Sequence, residues 1–145
     1  MYLEEKLVTS KNIHTHKAPE PVGAYPHAKK VGNFIFLSGV GPRKPGTSEI
    51  PGTYVDPEGN VVGHEIEEQT RAVIENVKII LEEAGSSLDK LVDITVFLTD
   101  MKADFKKFNQ VYTEELGQYG ATRTTVEVGA LPTPIAVEFK VIALA

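Results

Sequence analysis

The sequence predicts an α+β domain: a mixed β-sheet with two helices on one face. Three observations lead to it. Two stretches, His64 to Ala84 and Asp100 to Tyr119, carry apolar residues at helical spacing. Between them LVDITVFL, residues 91 to 98, is β-branched and almost wholly apolar, the pattern of a strand covered on both faces. At either end, short alternating runs are broken by glycine and proline. The resulting order is strand, hairpin, helix, strand, helix, hairpin, within one domain over residues 1–145.

Each element has its own warrant. LEEKLVT, residues 3 to 9, has the composition of a short strand, and the prolines and glycine of KNIHTHKAPEPVGAYPHA make a long loop after it. KKVGNFIFLSG reads as a hairpin turning at Gly32-Asn33. From Val40 to Gly63, GPRKPGTSEIPGTYVDPEGNVVG excludes helix and reads as a second long surface loop, after which His64 starts the first helix. Ile66, Val73, Ile74, Val77, Ile80, Leu81 and Ala84 give that helix its apolar stripe, and Gly85 suits its C-terminal cap. Asp100 caps the second helix, whose stripe is Phe105, Phe108, Val111, Tyr112, Leu116 and Tyr119, with Gly120 closing it. The runs Arg123 to Val128 and Ala136 to Leu144, separated by Leu131-Pro132-Thr133-Pro134, read as a closing hairpin.

Composition narrows the function. The 145 residues are 41% hydrophobic and 24% charged, ordinary for a globular protein. No apolar run approaches the roughly 20 residues of a membrane span. The opening MYLEEKLVTS lacks the basic-then-apolar layout of a signal peptide, so a cytoplasmic protein is expected. The absence of cysteine removes disulfides, thiolate metal sites and a cysteine nucleophile. A net charge of −5, with the basic pairs Lys29-Lys30, Arg43-Lys44 and Lys106-Lys107 scattered among acids, speaks against a nucleic-acid partner.

Candidate chemistry lies in the loops and the closing strands. Period-two alternation puts Val137, Phe139 and Val141 on an apolar face, and Arg123, Thr125 and Glu127 on the opposite one with Glu138 and Lys140. A symmetric hairpin centred on Pro132-Thr133 pairs Arg123 near Ile142, leaving Glu138 roughly 13 Å along the ladder. One subunit would then not supply a compact site unless the register is asymmetric or a neighbouring chain contributes. From spacing alone Arg123 is equally well a cross-strand ion-pair partner of Glu127 or Glu138. His14 and His16 form H-x-H, but no third ligand follows at metal-binding spacing, so no metal is expected. His27 sits in the proline- and glycine-flanked loop, facing a ligand or solvent. VGAY, SGVG and PGT make no nucleotide-binding fingerprint, and Ser38 in L-S-G-V-G is not a nucleophile elbow.

VGAYPHAKKVGNFIFLSG resembles the block V-G-P-Y-S-Q-A and following hairpin of the Rid (reactive intermediate deaminase, YjgF or L-PSP endoribonuclease-like) family. ATRTTVEVGALPTPIAVEFKVIA resembles that family's closing block P-A-R-x-x-x-x-V-x-x-L-P and the strand after it, and E-A-G at 83 to 85 and D-I-T-V-F-L-T-D also correspond. The resemblance covers nearly the whole chain. It implies a chorismate-mutase-like α+β fold, a homotrimer around a central barrel with clefts between subunits, and cofactor-free hydrolysis of small imine or enamine carboxylates. It places the carboxylate-gripping arginine at Arg123, for which a bidentate guanidinium fork is suited. It places the water-positioning glutamate at Glu138, a pocket tyrosine at Tyr25, and a ligand-approaching backbone at Gly39, after Ser38.

Departures from the family pattern bear on substrate. Ala24 replaces a proline, Pro26-His27 replaces Ser-Gln, Thr122 replaces alanine, and Thr125 stands at the pocket cysteine. The 41 to 63 segment is longer than the family loop, and Arg43, Lys44 and His27 fall near the expected mouth. G-A-Y-P-H, S-G-x-G-P-R-x-P-G-T and T-R-T-T-V-E-V-x-A-L-P-T-P-I-A-V-E resemble the 2-aminomuconate deaminases. That resemblance implies a dicarboxylate substrate, with Arg123 on the carboxylate beside the amino carbon and Arg43 or His27 on the distal one. The alternatives are a general deaminase of 2-aminoacrylate or 2-iminobutyrate, an endoribonuclease or translation inhibitor, and a non-catalytic metabolite-binding trimer.

Overall fold

The computed structural model describes residues 8–145. The strand expected over 3 to 9 lies for the most part outside the described residues. The first strand observed is β1 (Ser10–Ile13), followed by the hairpin β2 (Ala28–Val31) and β3 (Phe34–Leu37). Gly32 supplies the left-handed turn, φ 56°, between the two hairpin strands. After β4 (Thr53–Val55) and β5 (Val61–His64) come α1 (Ile66–Glu83), β6 (Leu91–Leu98), α2 (Met101–Leu116), β7 (Thr122–Glu127) and β8 (Val137–Leu144).

Two helices pack on one face of a six-stranded mixed sheet of order β1-β2-β3-β8-β6-β7, the α+β arrangement expected. The core lies between them. Ile35, Leu37, Ile94, Val96, Val137, Phe139 and Val141 face Val73, Val77, Leu81, Phe108 and Val111, all essentially inaccessible to solvent. The α1 terminus shows why Gly85 is there. At φ 80° it donates to Glu82 O, while Ser86 N–H reaches Leu81 O, which satisfies two orphan carbonyls. Asp100 caps α2 by accepting from Ala103 N at 3.1 Å.

The last two strands are not a hairpin. β6 stands between them, parallel to β7 and antiparallel to β8, and α2 makes the crossover that a parallel pair requires. The connector from 128 to 136 passes over the end of β6, with Val128 N–H bonding Leu98 O and Thr99 N–H bonding Ala136 O. The physical reason lies in the side chains. β6 is apolar in nearly every position and gains from two neighbours, whereas the threonine- and charge-bearing β7 tolerates an edge.

This topology reverses the expected sharing of faces. Arg123 stands level with Ile94 and Val141, so Arg123, Thr125 and Glu127 point toward the helices. Glu138 stands level with Phe97 and Val126 on the opposite face, together with Lys140. The 41 to 63 segment also differs from expectation, because Tyr54 pairs with Gly63 and Val55 with Val61 across a turn. The Asp56 carboxylate accepts from Glu58 N and Asn60 N in that turn, with Gly59 at φ 86°. His64 ends β5 rather than starting a helix, and its Nε2 lies 2.7 Å from Asp104 Oδ2 on α2.

Candidate active site

Three loops, the start of β8 and Ile80 of α1 line a cavity of about 190 Å³. Six of the residues expected at a site line it: Tyr25, His27, Ser38, Gly39, Arg43 and Glu138. They arrive from three places in the chain. Tyr25 and His27 come from the loop before β2, Ser38 to Arg43 follow β3, and Glu138 is the second residue of β8.

Local bonds hold this wall. Val40 and Phe139 exchange both backbone hydrogen bonds, which brings Gly39 against Glu138. A Cβ on Gly39 would fall 2.8 Å from Glu138 Oε2 and 2.9 Å from its Cδ, so the glutamate carboxylate occupies the space a side chain would fill. The Ser38 hydroxyl donates to Pro26 O at 2.7 Å, tying the wall to the Tyr25 loop. The carboxamide of Asn76, buried in α1, donates to both Gly41 O and Arg43 O at 2.9 Å. Gln69, also buried, accepts from Ala136 N at the start of β8.

Among the described residues, Glu138 has no side-chain hydrogen bond or ion pair, and burial pushes its carboxyl above the usual carboxylate range. A partly desolvated, uncommitted carboxylate in a cavity has the properties of a general base or acid. Lys140, two residues on and on the same face, donates to Leu37 O, and burial holds its ammonium below the usual lysine range.

His27 does not offer a free donor to a ligand. Its Nε2–H donates to Pro19 O at 2.8 Å and its Nδ1 accepts from Thr15 N at 3.3 Å. Both ring nitrogens are thus satisfied inside the loop, and the imidazole lines the cavity. Arg43 donates one guanidinium N–H to Glu20 O, and its other donors have no side-chain or ion-pair partner among the described residues.

Arg123 and Thr125 lie apart from the cavity. Arg123 Nη1 donates to Asn109 Oδ1 at 2.9 Å, and its guanidinium carbon sits 4.5 Å from the Tyr112 ring centroid and 5.5 Å from that of Phe108. Neither anticipated ion pair forms. Glu127 accepts from Met101 N at the start of α2, and Glu138 is across the sheet. The Thr125 hydroxyl is buried with no hydrogen-bond partner among the described residues. No cluster of three His, Asp or Glu side chains among the described residues is placed to hold a metal. His16 instead lies 3.1 Å from Glu20, and no described helix is long and apolar enough to cross a membrane.

Sequence reasoning overlooked Asn76 and Gln69. Their signal was available: both recur at the helical spacing of the buried stripe, where a polar residue has to find a partner.

Fold and sequence together make this chain a member of the Rid family, with its carboxylate-bearing cavity built on a six-stranded mixed sheet. Residues 15–145 match the family model described as Endoribonuclease L-PSP. Among its relatives is a RutC family protein of Pyrococcus abyssi, 48% identical over 132 residues, covering 90% of this chain and 94% of the relative. The crystal structure of Escherichia coli TdcF with bound serine superposes with a TM-score of 0.78 at 33% identity, over 93% of this chain and 98% of TdcF. RidA from the Antarctic bacterium Psychrobacter sp. gives 0.78 at 37% identity, over 93% and 99%.

Proposed function

We propose that this chain is a cofactor-independent hydrolytic deaminase of imine and enamine carboxylates, best suited to 2-aminomuconate and yielding 4-oxalocrotonate and ammonia. The observation that carries the reading is the Glu138 carboxylate, uncommitted and partly desolvated in the cavity against Gly39. TdcF, whose name provisionally assigns it as a reactive intermediate deaminase, has a structure with bound serine, a small amino acid. A cavity of this size favours such a ligand over an RNA strand.

The chemistry follows from the substrate. An enamine takes a proton on carbon to become an iminium, whose carbon is electrophilic. Water attacks that carbon while Glu138 accepts its proton. Glu138 passes that proton to nitrogen, the C–N bond breaks with release of ammonia, and the hydroxyl forms the carbonyl by giving its own proton to solvent, which replaces the one taken up on carbon at the start. One water is consumed per ammonia released, and general acid-base assistance of this kind contributes about 10²- to 10⁴-fold.

The reading includes a homotrimer. Within one chain Arg123 faces the helices and Glu138 the opposite side, so a complete site draws Arg123 from a neighbouring copy. The open face exposes Phe34, Phe36, Val126 and Leu144, apolar surface that assembly would cover. Arg43, on the cavity wall with donors to spare, is the second anchor that a dicarboxylate needs.

The test is ammonia release from enzymatically generated 2-aminomuconate and from 2-aminoacrylate. Arg43→Ala is expected to raise KM for the dicarboxylate about tenfold more than for 2-aminoacrylate, the loss of one charge-assisted contact. Equal effects on both substrates would remove the dicarboxylate assignment, and no turnover of either would leave a binding protein. Gly39→Ala is expected to lower kcat on the order of a hundredfold, because the new methyl displaces the Glu138 carboxylate. Circular dichroism should show the fold retained.

A further inference from the structure

Every group that holds Arg123 is neutral. The Asn109 amide oxygen accepts from Nη1 at 2.9 Å, and the guanidinium lies over Tyr112 and beside Phe108. Phe108 and Tyr112 are four residues apart on α2 and so share a face. Burial raises the Tyr112 phenol above its usual range, which keeps it un-ionised at neutral pH. The acids of the two neighbouring strands bond elsewhere: Glu127 accepts from Met101 N at the start of α2, and Asp93 accepts from the Thr122 hydroxyl at 2.6 Å. Among the described residues no carboxylate comes within ion-pair distance of Arg123.

A half-buried guanidinium with no counter-charge is costly unless an anion arrives to neutralise it. We infer that Asn109 and Tyr112 are positioning residues of a neutral cradle that orients the Arg123 fork and leaves its charge for the substrate carboxylate. The inference rests on the reading of Arg123 as the carboxylate anchor. Stacking on an aromatic face fixes the plane of the guanidinium without consuming its N–H groups, and the single bond to Asn109 fixes its rotation. The remaining donors are then presented in one geometry, which an aspartate at 109 would have taken for itself. The ring cluster also reaches the strand of Glu138, because Phe139 packs at 6.2 Å from Phe108 and 6.4 Å from Tyr112.

The test uses the full chain and 2-aminoacrylate generated in the assay. Asn109→Asp, nearly isosteric, gives Arg123 an internal counter-ion. KM is expected to rise about tenfold or more while kcat changes less, and the melting temperature should hold or increase. A purely structural role for Asn109 would lower stability and leave KM alone. Tyr112→Leu should raise KM, and Tyr112→Phe, which keeps the ring, should restore it. A folded Asn109→Asp protein with wild-type KM overturns the cradle. If Arg123→Ala also keeps wild-type KM, the anchor reading has failed; if Arg123→Ala is impaired, the cradle alone has failed.

Discussion

Arg123→Ala is expected to lower kcat/KM for imine hydrolysis by about three orders of magnitude, the loss of a bidentate charge-assisted carboxylate contact worth roughly 4 kcal/mol. Arg123→Lys should recover little of it, because an ammonium is a point charge without the fork and does not stack on Tyr112 in the same way. Initial rates of ammonia release over a range of substrate concentrations check both variants. The alanine variant also removes the partner of Asn109 and the stack on the α2 rings, so its melting temperature should be recorded beside the kinetics. Activity within a few fold of wild type in a folded Arg123→Ala protein would rule out this residue as the anchor.

Glu138→Gln should reduce kcat by about 10²- to 10⁴-fold, the usual contribution of a positioned acid-base group, with KM changed much less. The pH dependence follows from the same burial. With the Glu138 carboxyl raised above the ordinary range, the base form is lost while pH is still above that range, so the acid limb of kcat should sit higher than for an exposed glutamate. Stability carries the opposite sign. A raised folded-state pKa means the folded chain binds the proton more tightly than the unfolded one, so stability falls as pH rises from the ordinary range through the raised value. The uncharged glutamine variant should therefore melt higher than wild type at neutral pH, and the advantage should vanish in acid. A wild-type acid limb retained in Glu138→Gln would assign that proton to another group.

Much of the candidate site was legible because short blocks carry it. Tyr25, Ser38, Gly39, Arg43 and Glu138 were all named from sequence, and all line one cavity. His27 was named too, but chain identity alone could not show that Pro19 O and Thr15 N–H take both its nitrogens. The β4–β5 hairpin was hidden by its glycines and prolines, although the D-P-E-G-N turn between valine-rich flanks was a local signal for it.

Local periodicity, caps and turn residues determined the elements themselves: α1 and its Gly85 terminus, α2 and its Asp100 cap, β6 as a strand, and the Gly32 hairpin; the cover expected on both faces of β6 is found within the chain on its helix-facing side alone, where Ile94, Val96 and Leu98 are buried while Asp93, Thr95 and Phe97 stay half-exposed. The elements depend on neighbours within a few residues, which is information a sequence carries directly. Strand order depends on which distant surfaces bury best together, and it was decided only in three dimensions. The two closing strands looked like a hairpin because a proline turn separates them, yet β6 gains more by standing between them than by pairing on one side. Since strand pairing has a period of two, that one insertion sends Arg123 to the helix face and leaves Glu138 on the other.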